Sequence, residues 1–313
     1  MAEPVALAAL ALDAALGWPA WLHARIGHPV GAFARVIALC DKQWNLGDVS
    51  RARRKAGGVV TLIVLVSITG LVAAGLTVLA RQSGSAGWLI VAILAWPALA
   101  QRSLDDHIVP VVDALADDDL ESARLAVAMI VGRDTATLDR NGVSRAAIES
   151  LAESFCDGVI APLFWLLVAG LPGIWILKAI NTADSLIGHP EEPYRDFGWA
   201  SARTDDALNL VPARIAALLI CLAGCGGWRT LWRYRTCHAS PNAGWPEAAM
   251  AGALGVRLAG PISYDGKIAD KPWIGHGGEA GLEALVRARR IYHRACALTW
   301  IIVLGWVCAG GVT

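Results

Sequence analysis

Five stretches of the chain consist of apolar and small residues without a single Asp, Glu, Lys or Arg. They are residues 56–80, 82–101, 158–177, 215–228 and 295–313. A helix needs about 20 apolar residues to cross the hydrocarbon core of a bilayer. The runs 56–80, 82–101 and 295–313 have this length, and we predict a membrane-spanning helix in each.

Residues 4–22 form another apolar stretch, which carries Asp13 near its centre. A carboxylate inside the hydrocarbon region of a membrane is costly. We therefore predict a membrane helix over 4–22 in which Asp13 either has a partner or lies at a shallow depth.

Two further apolar stretches are less regular. In 158–177 the sequence Gly-Leu-Pro-Gly occupies residues 170–173, and a proline with flanking glycines breaks or kinks a helix. The run 215–228 is short for a crossing, and its backward extension to residue 207 includes Arg214. We expect each stretch to be either a complete crossing or a broken, re-entrant segment.

The basic residues constrain this choice. Residues 23–55 contain seven Lys and Arg, and residues 229–294 contain a second basic block. Because cytoplasmic loops of membrane proteins are enriched in these residues, both segments are predicted to be cytoplasmic. If the chain is cytoplasmic both before 158–177 and after 207–228, the number of crossings between these points is even. The two stretches must then either both cross the membrane or both fail to cross it, and hydropathy leaves the two possibilities open.

The polar segments have helical patterning. In 104–131 and 143–157 the apolar residues recur at helical spacing, and no alternating strand pattern of useful length is present. We predict an all-α, polytopic integral membrane protein with a helical polar part that faces the cytoplasm. No linker or long repeat divides the chain, so residues 1–313 are predicted to form one domain.

Composition and charge exclude several classes of function. The 27 basic and 27 acidic side chains balance, and they lack the Lys and Arg clusters that nucleic-acid binding requires. The seven Cys show no zinc-type spacing, so neither a zinc site nor a disulfide framework is expected. Acids outnumber bases in 102–157 and bases outnumber acids in 229–294. A site between these two blocks would suit both a metal cation and phosphate groups.

An acidic stripe lies in residues 144–157, SRAAIESLAESFCD. Glu149, Glu153 and Asp157 share one face of the predicted helix, opposite its apolar face. Like charges four residues apart repel one another, and only Arg145 precedes them with the opposite sign. The stripe is either a solvated helix face or a magnesium site, because carboxylates together with substrate phosphates suit this hard ion.

Residues 132–135, Gly-Arg-Asp-Thr, follow a predicted apolar helix. Arg133 and Asp134 could belong to a phosphate-binding site, since Arg is well suited to phosphate. They could equally form a helix C-terminus followed by an Asp turn. The spacing of four residues does not separate the two interpretations.

The segment 178–214 is the densest in polar side chains. Those that emerge directly from an apolar run, and so lie near the membrane surface, are Lys178, Asn181, Thr182, Asp184 and Ser185. Further along, Asp205, Asp206 and Asn209 fall within one helical turn, preceded by Arg203. A helix N-cap with Thr204 would account for one of these carboxylates and leave the other, with Asn209, available for binding.

Residues 240–255 begin with turn residues and continue as a helix of small residues, which favours close packing. Asn242 and Glu247 remain available there for binding. Among the histidines, His189 is the strongest acid or base candidate, although a histidine in a turn is the simpler interpretation. Because the chain has no G-x-x-x-x-G-K-[ST] loop, any nucleotide site must be built without a P-loop.

Several motifs together closely resemble the adenosylcobinamide-phosphate synthase family of cobalamin biosynthesis. They are GRDT (132–135), ESLAESFCDGVIAPLFW (149–165), KAINTADSLIGH (178–189), YRDFGWASARTDDALNLVPAR (194–214) and SPNAGWPEAAMAGALGVRLAGP (240–261). Their order and spacing match the family over nearly the whole chain. Departures at Ser154, Cys156 and Thr204 lie at the edges of the motifs and leave the carboxylates in place.

The resemblance implies an integral membrane ligase. It would couple ATP hydrolysis to amide formation between a propionate of adenosylcobyric acid and aminopropanol or its phosphate. We hypothesise that Mg²⁺ is held by carboxylates among Glu149, Glu153, Asp157, Asp205 and Asp206. Binding of ATP and of the phosphorylated amine is expected from Arg133, Asp134, Lys178, Asn181, Arg195, Arg203, Arg214, Asn242 and Glu247. Catalysis and proton transfer are expected from Glu153, Asp184 and His189.

The resemblance also bears on location. ATP is cytoplasmic, so the motifs should face the cytoplasmic side of the inner membrane, which favours broken or re-entrant segments at 158–177 and 207–228. Other membrane enzymes of the late cobalamin pathway are expected as neighbours in the bilayer. One rival function is a non-enzymatic membrane sensor or regulator, which would not need paired carboxylates and arginines near the membrane. The other is a transporter, which would need polar groups within several spans, whereas three of the predicted spans carry no charged residue.

Overall fold

The computed structural model describes residues 2–264, 267–269 and 271–310, which are mostly helical. The predicted all-α class is confirmed. The chain divides into two compact units. Unit 1 contains the described residues of Met1–Ala100, Ala161–Asn209 and Trp306–Thr313, and unit 2 contains those of Gln101–Ile160 and Leu210–Gly305. The sequence pattern has no linker at these boundaries.

The helices of the first half of the chain are α1 (Ala2–Leu16), α2 (Ala20–Ile26), α3 (Val30–Trp44), α4 (Arg51–Arg81), α5 (Gly87–Ala95), α6 (Gln101–Ala116), α7 (Leu120–Ala128) and α8 (Arg140–Phe155). A π-helical turn, Cys156–Ile160, connects α8 to the next helix. The helices of the second half are α9 (Ala161–Ile187), α10 (Tyr194–Phe197), α11 (Trp199–Leu208), α12 (Leu210–Ala223), α13 (Trp228–Tyr234), α14 (Gly244–Leu254) and α15 (Leu282–Gly310).

Four short strands follow α14 and form two antiparallel pairs. Strand β1 (Leu258–Ala259) pairs with β4 (Trp273–Ile274), and β2 (Ile262–Tyr264) pairs with β3 (Lys267–Ala269). These strands are not predictable from the sequence, because two or three residues are too few to produce a recognisable alternation.

Several helical stretches of the described chain are long and apolar enough to cross a membrane. They are Arg51–Arg81, Gly84–Ala116, Arg140–Ile187 and Leu282–Ala309. Two bent helix pairs, Pro4–Leu16 with Ala20–Trp44 and Trp199–Leu208 with Leu210–Ala223, bring the number from four to six if each pair is one span. The chain is therefore a multi-pass membrane protein.

The predicted membrane segments differ in regularity. Residues 56–80 lie within α4, and residues 295–310 lie within α15, whereas 311–313 fall outside the described residues. Residues 82–101 do not form one regular helix, because 3₁₀ turns flank α5 and the backbone of Leu99 is extended. Over 4–22 the first helix ends at Leu16, and the next helical segment is bent from it by 104°.

The predicted break in 158–177 is present within α9. Gly170 has φ +64° and ψ −153°, so the helix is interrupted two residues before Pro172. The backbone of Trp165 then approaches Gly173 so closely that a methyl group there would lie 2.4 Å from its carbonyl oxygen. Residues eight apart in a straight helix are separated by about 12 Å. Residues 207–228 are also divided, since α11 ends at Leu208 and α12 begins at Leu210.

In unit 1, α4 packs against α9 and α3. Its apolar face meets a buried cluster that includes Leu65, Ala183 and Phe197. Gly58 permits the closest approach, because a methyl group at this position would lie 1.7 Å from the Phe197 carbonyl oxygen. The segment before α11 is thereby held against the N-terminal part of α4.

In unit 2, α8 is buried along most of its length, and α14 packs against α12 and α13. Gly252 of α14 lies directly against Gly227, where a methyl group would be 2.7 Å from the Gly227 Cα. The packing role predicted for the small residues of 240–255 is confirmed. This packing places Glu247 of α14 beside α8.

Candidate active site

A polar cavity of about 250 Å³ lies within unit 2. Its charged and titratable lining residues are Arg133, Glu149, Glu153, His238, Glu247 and Lys271. Three of them come from the acidic block 102–157 and three from the basic block 229–294. The cavity therefore combines carboxylates with cationic side chains, as the charge distribution along the chain suggests.

Glu149 lines this cavity and is buried, with only 3% of its surface exposed. Its Oε2 accepts a hydrogen bond from Arg133, and its Oε1 accepts one from the backbone N–H of Ala259 at 2.7 Å. Arg145, one turn earlier on α8, lies 3.9 Å away. The solvated-face interpretation is wrong for Glu149, because the carboxylate is buried and neutralised by arginine.

Glu247 is the second buried carboxyl of the cavity, also 3% exposed. Its Oε2 is buried and has no hydrogen-bond partner among the described residues. Burial raises the pKa of the Glu247 carboxyl well above its usual range, and the neighbouring Glu153 carboxylate raises it further. Leaving a carboxyl oxygen buried without a partner is unfavourable, which makes this atom a candidate for binding a cation.

Glu153, His238 and Glu247 lie close enough together to hold one metal ion, with ligand atoms all within 4.8 Å of one another. The Nε2 atom of His238 is 3.9 Å from Glu153 Oε1 and 4.0 Å from Glu247 Oε1. Burial lowers the pKa of His238, although the Glu153 carboxylate acts in the opposite direction. The neutral ring is therefore favoured at neutral pH.

The tautomer of this neutral ring follows from its other nitrogen. The backbone N–H of Ser240 donates to His238 Nδ1 at 3.0 Å, so Nδ1 must present a lone pair. In a neutral imidazole the proton is then on Nε2. His238 accordingly directs an N–H donor towards the two glutamates.

Arg214 and Asn242, both predicted as binding residues, lie together in unit 2. The Nη1 of Arg214 donates to Asn242 Oδ1 at 2.8 Å, and its guanidinium lies over the Trp245 ring, 4.5 Å from the centroid. Asn242 is buried, and its backbone N–H donates to Ser240 Oγ. These contacts hold the turn that precedes α14, and with it the His238 region.

A second polar cluster lies within unit 1 around Asp205. Asn209 donates to Asp205 Oδ2 at 3.0 Å, and Asn181 donates to Oδ1 at 3.5 Å. The charges of Asp184 and Asp206 also act on this carboxylate. Asp205 lies inside α11, whose N-cap is Gly198, so the helix-cap interpretation with Thr204 is wrong.

The remaining predicted residues have varied surroundings. Asp134 Oδ1 accepts from the backbone N–H of Ala136, which confirms the Asp turn, although the preceding helix ends earlier, at Ala128. His189 is exposed on a turn, 6.3 Å from Tyr194 between ring centroids. The arginines at 195 and 203 are exposed and form local ion pairs with Glu192 and Asp206.

Two other predicted residues depend on local helix geometry. Asp157 lies in the π-helical turn after α8, and it is not among the residues that line the cavity. A π-turn changes the helical register, so the predicted stripe does not continue beyond Glu153. Lys178 is half-buried within α9, in the same helix as Asn181 and Asp184.

His238 and Lys271 line the cavity although no sequence motif predicts a role for either. His238 is separated from Glu153 by 85 positions, and no motif spacing relates them. Only the packing of α14 against α8 brings the two together. The one available signal was the position of His238 just before the 240–261 motif.

Comparison with known proteins identifies the family. The model of the CobD/Cbib protein family matches residues 6–292. The chain belongs to the CobD/Cbib family. The family expected from the motifs is therefore confirmed, and the match includes every residue of the unit 2 cavity and of the Asp205 cluster.

Several curated relatives of this CobD/Cbib chain cover nearly its full length. A cobalamin biosynthesis protein CobD of Rhodobacter capsulatus is 50% identical over 299 residues, covering 94% of each chain. The protein of the same name from Rhizobium meliloti is 47% identical over 305 residues, covering 93% of this chain and 92% of its own. No solved structure matches the chain.

Proposed function

We propose that this protein is an ATP-dependent carboxylate–amine ligase of cobalamin biosynthesis. It joins aminopropanol, or aminopropanol phosphate, to a propionate carboxyl of adenosylcobyric acid to give adenosylcobinamide or its phosphate. Membership of the CobD/Cbib family supports the pathway. The observation that carries the reaction type is the unit 2 cavity, where Arg133 and Lys271 accompany the carboxyls of Glu153 and Glu247.

The chemistry explains why such a cavity is needed. A carboxylate does not condense with an amine at neutral pH until one of its oxygens becomes part of a leaving group. Attack of the propionate oxygen on the γ-phosphorus of ATP releases ADP and gives an acyl phosphate. Attack of the amine nitrogen on the carbonyl carbon then releases phosphate, and the ammonium loses a proton. Cationic side chains and Mg²⁺ stabilise the phosphoryl charges in both steps.

Within this proposal, Arg133 and Lys271 bind phosphate oxygens in unit 2. The two acidic clusters, around Glu153 and around Asp205, provide oxygen ligands of the kind that Mg²⁺ prefers. Lys178 and Asn181, which share α9 with Asp184, are proposed to bind substrate. Asp184 or His189 is the proposed base that accepts the ammonium proton, because a base must lie near the amine.

The proposed location is the cytoplasmic (inner) membrane, with the site facing the cytoplasm. Arg54 Nη1 contacts Glu192 Oε2 at 2.8 Å, and Arg51 donates two hydrogen bonds to Asp196. The segment 188–198 therefore lies at the basic end of α4. Because that end carries Arg51, Arg53, Arg54 and Lys55, the positive-inside rule supports a cytoplasmic position for both.

The test is an assay of the purified protein in detergent with ATP, Mg²⁺, adenosylcobyric acid and aminopropanol phosphate. We expect an amide product by mass spectrometry and ADP release that requires both co-substrates. Parallel reactions with aminopropanol determine which amine is used. Absence of product, under conditions in which a relative of this family forms the amide, would refute the ligase and favour the regulator.

A further inference from the structure

The carboxyls of Glu153 and Glu247 lie close together in the cavity, apart from the ion pair of Glu149 with Arg133. Glu149 already receives hydrogen bonds from Arg133 and from the Ala259 backbone, one on each oxygen. Glu247 lies beside another carboxyl, that of Glu153, and its buried Oε2 lacks any hydrogen bond among the described residues. A buried carboxyl oxygen of this kind requires a proton or a cation nearby.

The separation of the ligand atoms suits a cation. Two oxygens bound to one Mg²⁺ lie at most about 4.2 Å apart, since each Mg–O distance is about 2.1 Å. The ligand atoms of Glu153, Glu247 and His238 lie within 4.8 Å of one another, so small side-chain adjustments suffice. Mg²⁺ is commonly held by one or two carboxylates and by substrate phosphates.

His238 is better suited to donate a hydrogen bond than to bind the ion. Its Nδ1 accepts the Ser240 N–H, so Nε2 carries the proton and has no lone pair to offer a metal. At 3.9 and 4.0 Å from the two glutamates, Nε2 is too distant to hydrogen-bond either carboxylate. An anionic oxygen placed between them would accept this hydrogen bond.

We propose that Glu153 and Glu247 bind the divalent cation that carries the nucleotide phosphates, and that His238 donates its Nε2–H to a phosphate oxygen. Arg133 and Lys271, which line the same cavity, provide positive charge for the remaining phosphate oxygens. Of the Mg²⁺ ligands predicted from the sequence, this assignment keeps Glu153 and excludes Glu149. It adds Glu247, which the sequence predicts only as a binding residue. It rests on the proposed function for the presence of a nucleotide in this cavity.

The cation site is tested by Mn²⁺ binding, measured by electron paramagnetic resonance on the full-length protein in detergent. Titrations are made with Mn²⁺ alone and with Mn²⁺ plus adenylyl-imidodiphosphate, which does not transfer its terminal phosphate. We expect Glu247→Gln and Glu153→Gln each to weaken Mn²⁺ binding at least about tenfold. Glu121→Gln, at an exposed position on α7, should bind as the wild type does.

Two results would overturn the cation site. One is wild-type affinity in both Glu153→Gln and Glu247→Gln, with binding lost instead in Asp205→Asn. The other is no Mn²⁺ binding to the wild type in the presence of the nucleotide. Because Glu153 is partly exposed, its variant keeps the test valid if Glu247→Gln fails to fold.

The role of His238 is tested by comparing His238→Gln with His238→Ala. Glutamine places an N–H donor near the position of Nε2, whereas alanine has none. We expect the nucleotide to increase the affinity for Mn²⁺ in the wild type and in His238→Gln. In His238→Ala the factor of this increase should be smaller by at least about tenfold. Equal loss in both variants, or ¹⁴N coupling from a directly ligated imidazole, would overturn the donor role.

These measurements are separate from the test of the proposed function. Intact nucleotide-dependent Mn²⁺ binding without amide product would refute the ligase and retain the site. Amide formation together with wild-type Mn²⁺ binding in both Glu153→Gln and Glu247→Gln would refute the site and retain the ligase.

Discussion

Arg133 and Glu149 form a buried ion pair within unit 2, in which the guanidinium donates to Glu149 Oε2. The side chains are 13% and 4% exposed, so neither charge is well solvated. Removing one partner of a buried pair leaves the other charge uncompensated. The pair therefore links the 132–135 loop to α8 in the lining of the cavity.

We predict that Glu149→Gln and Arg133→Met each lower the free energy of unfolding by about 3–5 kcal/mol. The double variant should lose less stability than the sum of the two single losses, because neither Arg133 nor Glu149 is then left without the other. The measurement is denaturant-induced unfolding in detergent. Asp118→Asn is the control, since its pair with Arg140 is largely exposed and should contribute under about 1 kcal/mol. If the loss of unfolding free energy in the double variant equals the sum of the two single losses, Arg133 and Glu149 are not coupled.

The sequence predicts site residues that lie on one helix better than residues that only the fold brings together. The acidic stripe correctly indicates that Glu149 needs a positive charge nearby. The structure provides this charge from Arg133, which lies outside α8 and reaches Glu149 only in the folded protein. Asp157 was grouped with the stripe on the assumption of continuous α-helix, and the π-turn at Cys156–Ile160 breaks this register. His238 joins the cavity through the packing of α14 on α8, for which no sequence spacing exists.

The fold likewise has some features that local sequence predicts and others that depend on contacts between distant segments. The interruption of α9 was predictable, because Gly170 and Pro172 are intrinsic helix breakers. The long apolar runs likewise predicted α4 and most of α15. The separation into two units follows from contacts between segments far apart in the chain, which no local pattern reports.

The Asp205 cluster of unit 1 should be needed for the reaction but not for membrane insertion. We predict that Asp205→Ala lowers amide formation at least about 100-fold, because Asn181 and Asn209 orient this carboxylate. Glu153→Ala should have a similar effect. Product is measured by mass spectrometry, and membrane content by immunoblot, with exposed Glu191→Ala as the control. Retained activity in both variants would refute the role of these carboxylates in binding Mg²⁺.

Labelling of single cysteines tests the orientation of α4. We expect Glu192→Cys to react with an impermeant maleimide only in inverted vesicles, because Glu192 contacts Arg54 at the basic end of α4. Ser85→Cys, beyond the other end of α4, should react only from the outside. Both variants are made with Cys225→Ser, Cys237→Ser and Cys308→Ser, since these native cysteines are exposed or partly exposed and the others are buried. Labelling of residue 192 from outside alone would overturn the cytoplasmic orientation.

The ion pair between Arg51 and Asp196 should make stability depend on pH. Two hydrogen bonds from Arg51 hold the pKa of the Asp196 carboxyl below its usual range. A lowered folded-state pKa stabilises the protein above the unfolded pKa of about 3.9, and the effect disappears as pH falls through the folded value. Asp196→Asn should therefore have a lower melting temperature than the wild type at pH 7, and this difference should disappear below about pH 4.

The melting temperatures are measured by tryptophan fluorescence in detergent. Glu191→Gln is the control, because its exposed carboxylate should leave the melting temperature unchanged at either pH. A constant difference between Asp196→Asn and the wild type from pH 7 to pH 3 would contradict the assignment.

The approach of α4 to the segment before α11 depends on the absence of a side chain at Gly58. A methyl group there would lie 1.7 Å from the Phe197 carbonyl oxygen, which is backbone and cannot rotate away. Gly75 lies in the same helix with no atom within 4 Å of such a methyl group. We predict that Gly58→Ala destabilises the protein by about 1–3 kcal/mol or more, whereas Gly75→Ala stays within about 1 kcal/mol of the wild type. Detergent-induced unfolding compares the two, and equal stability would show that Gly58 does not determine this contact.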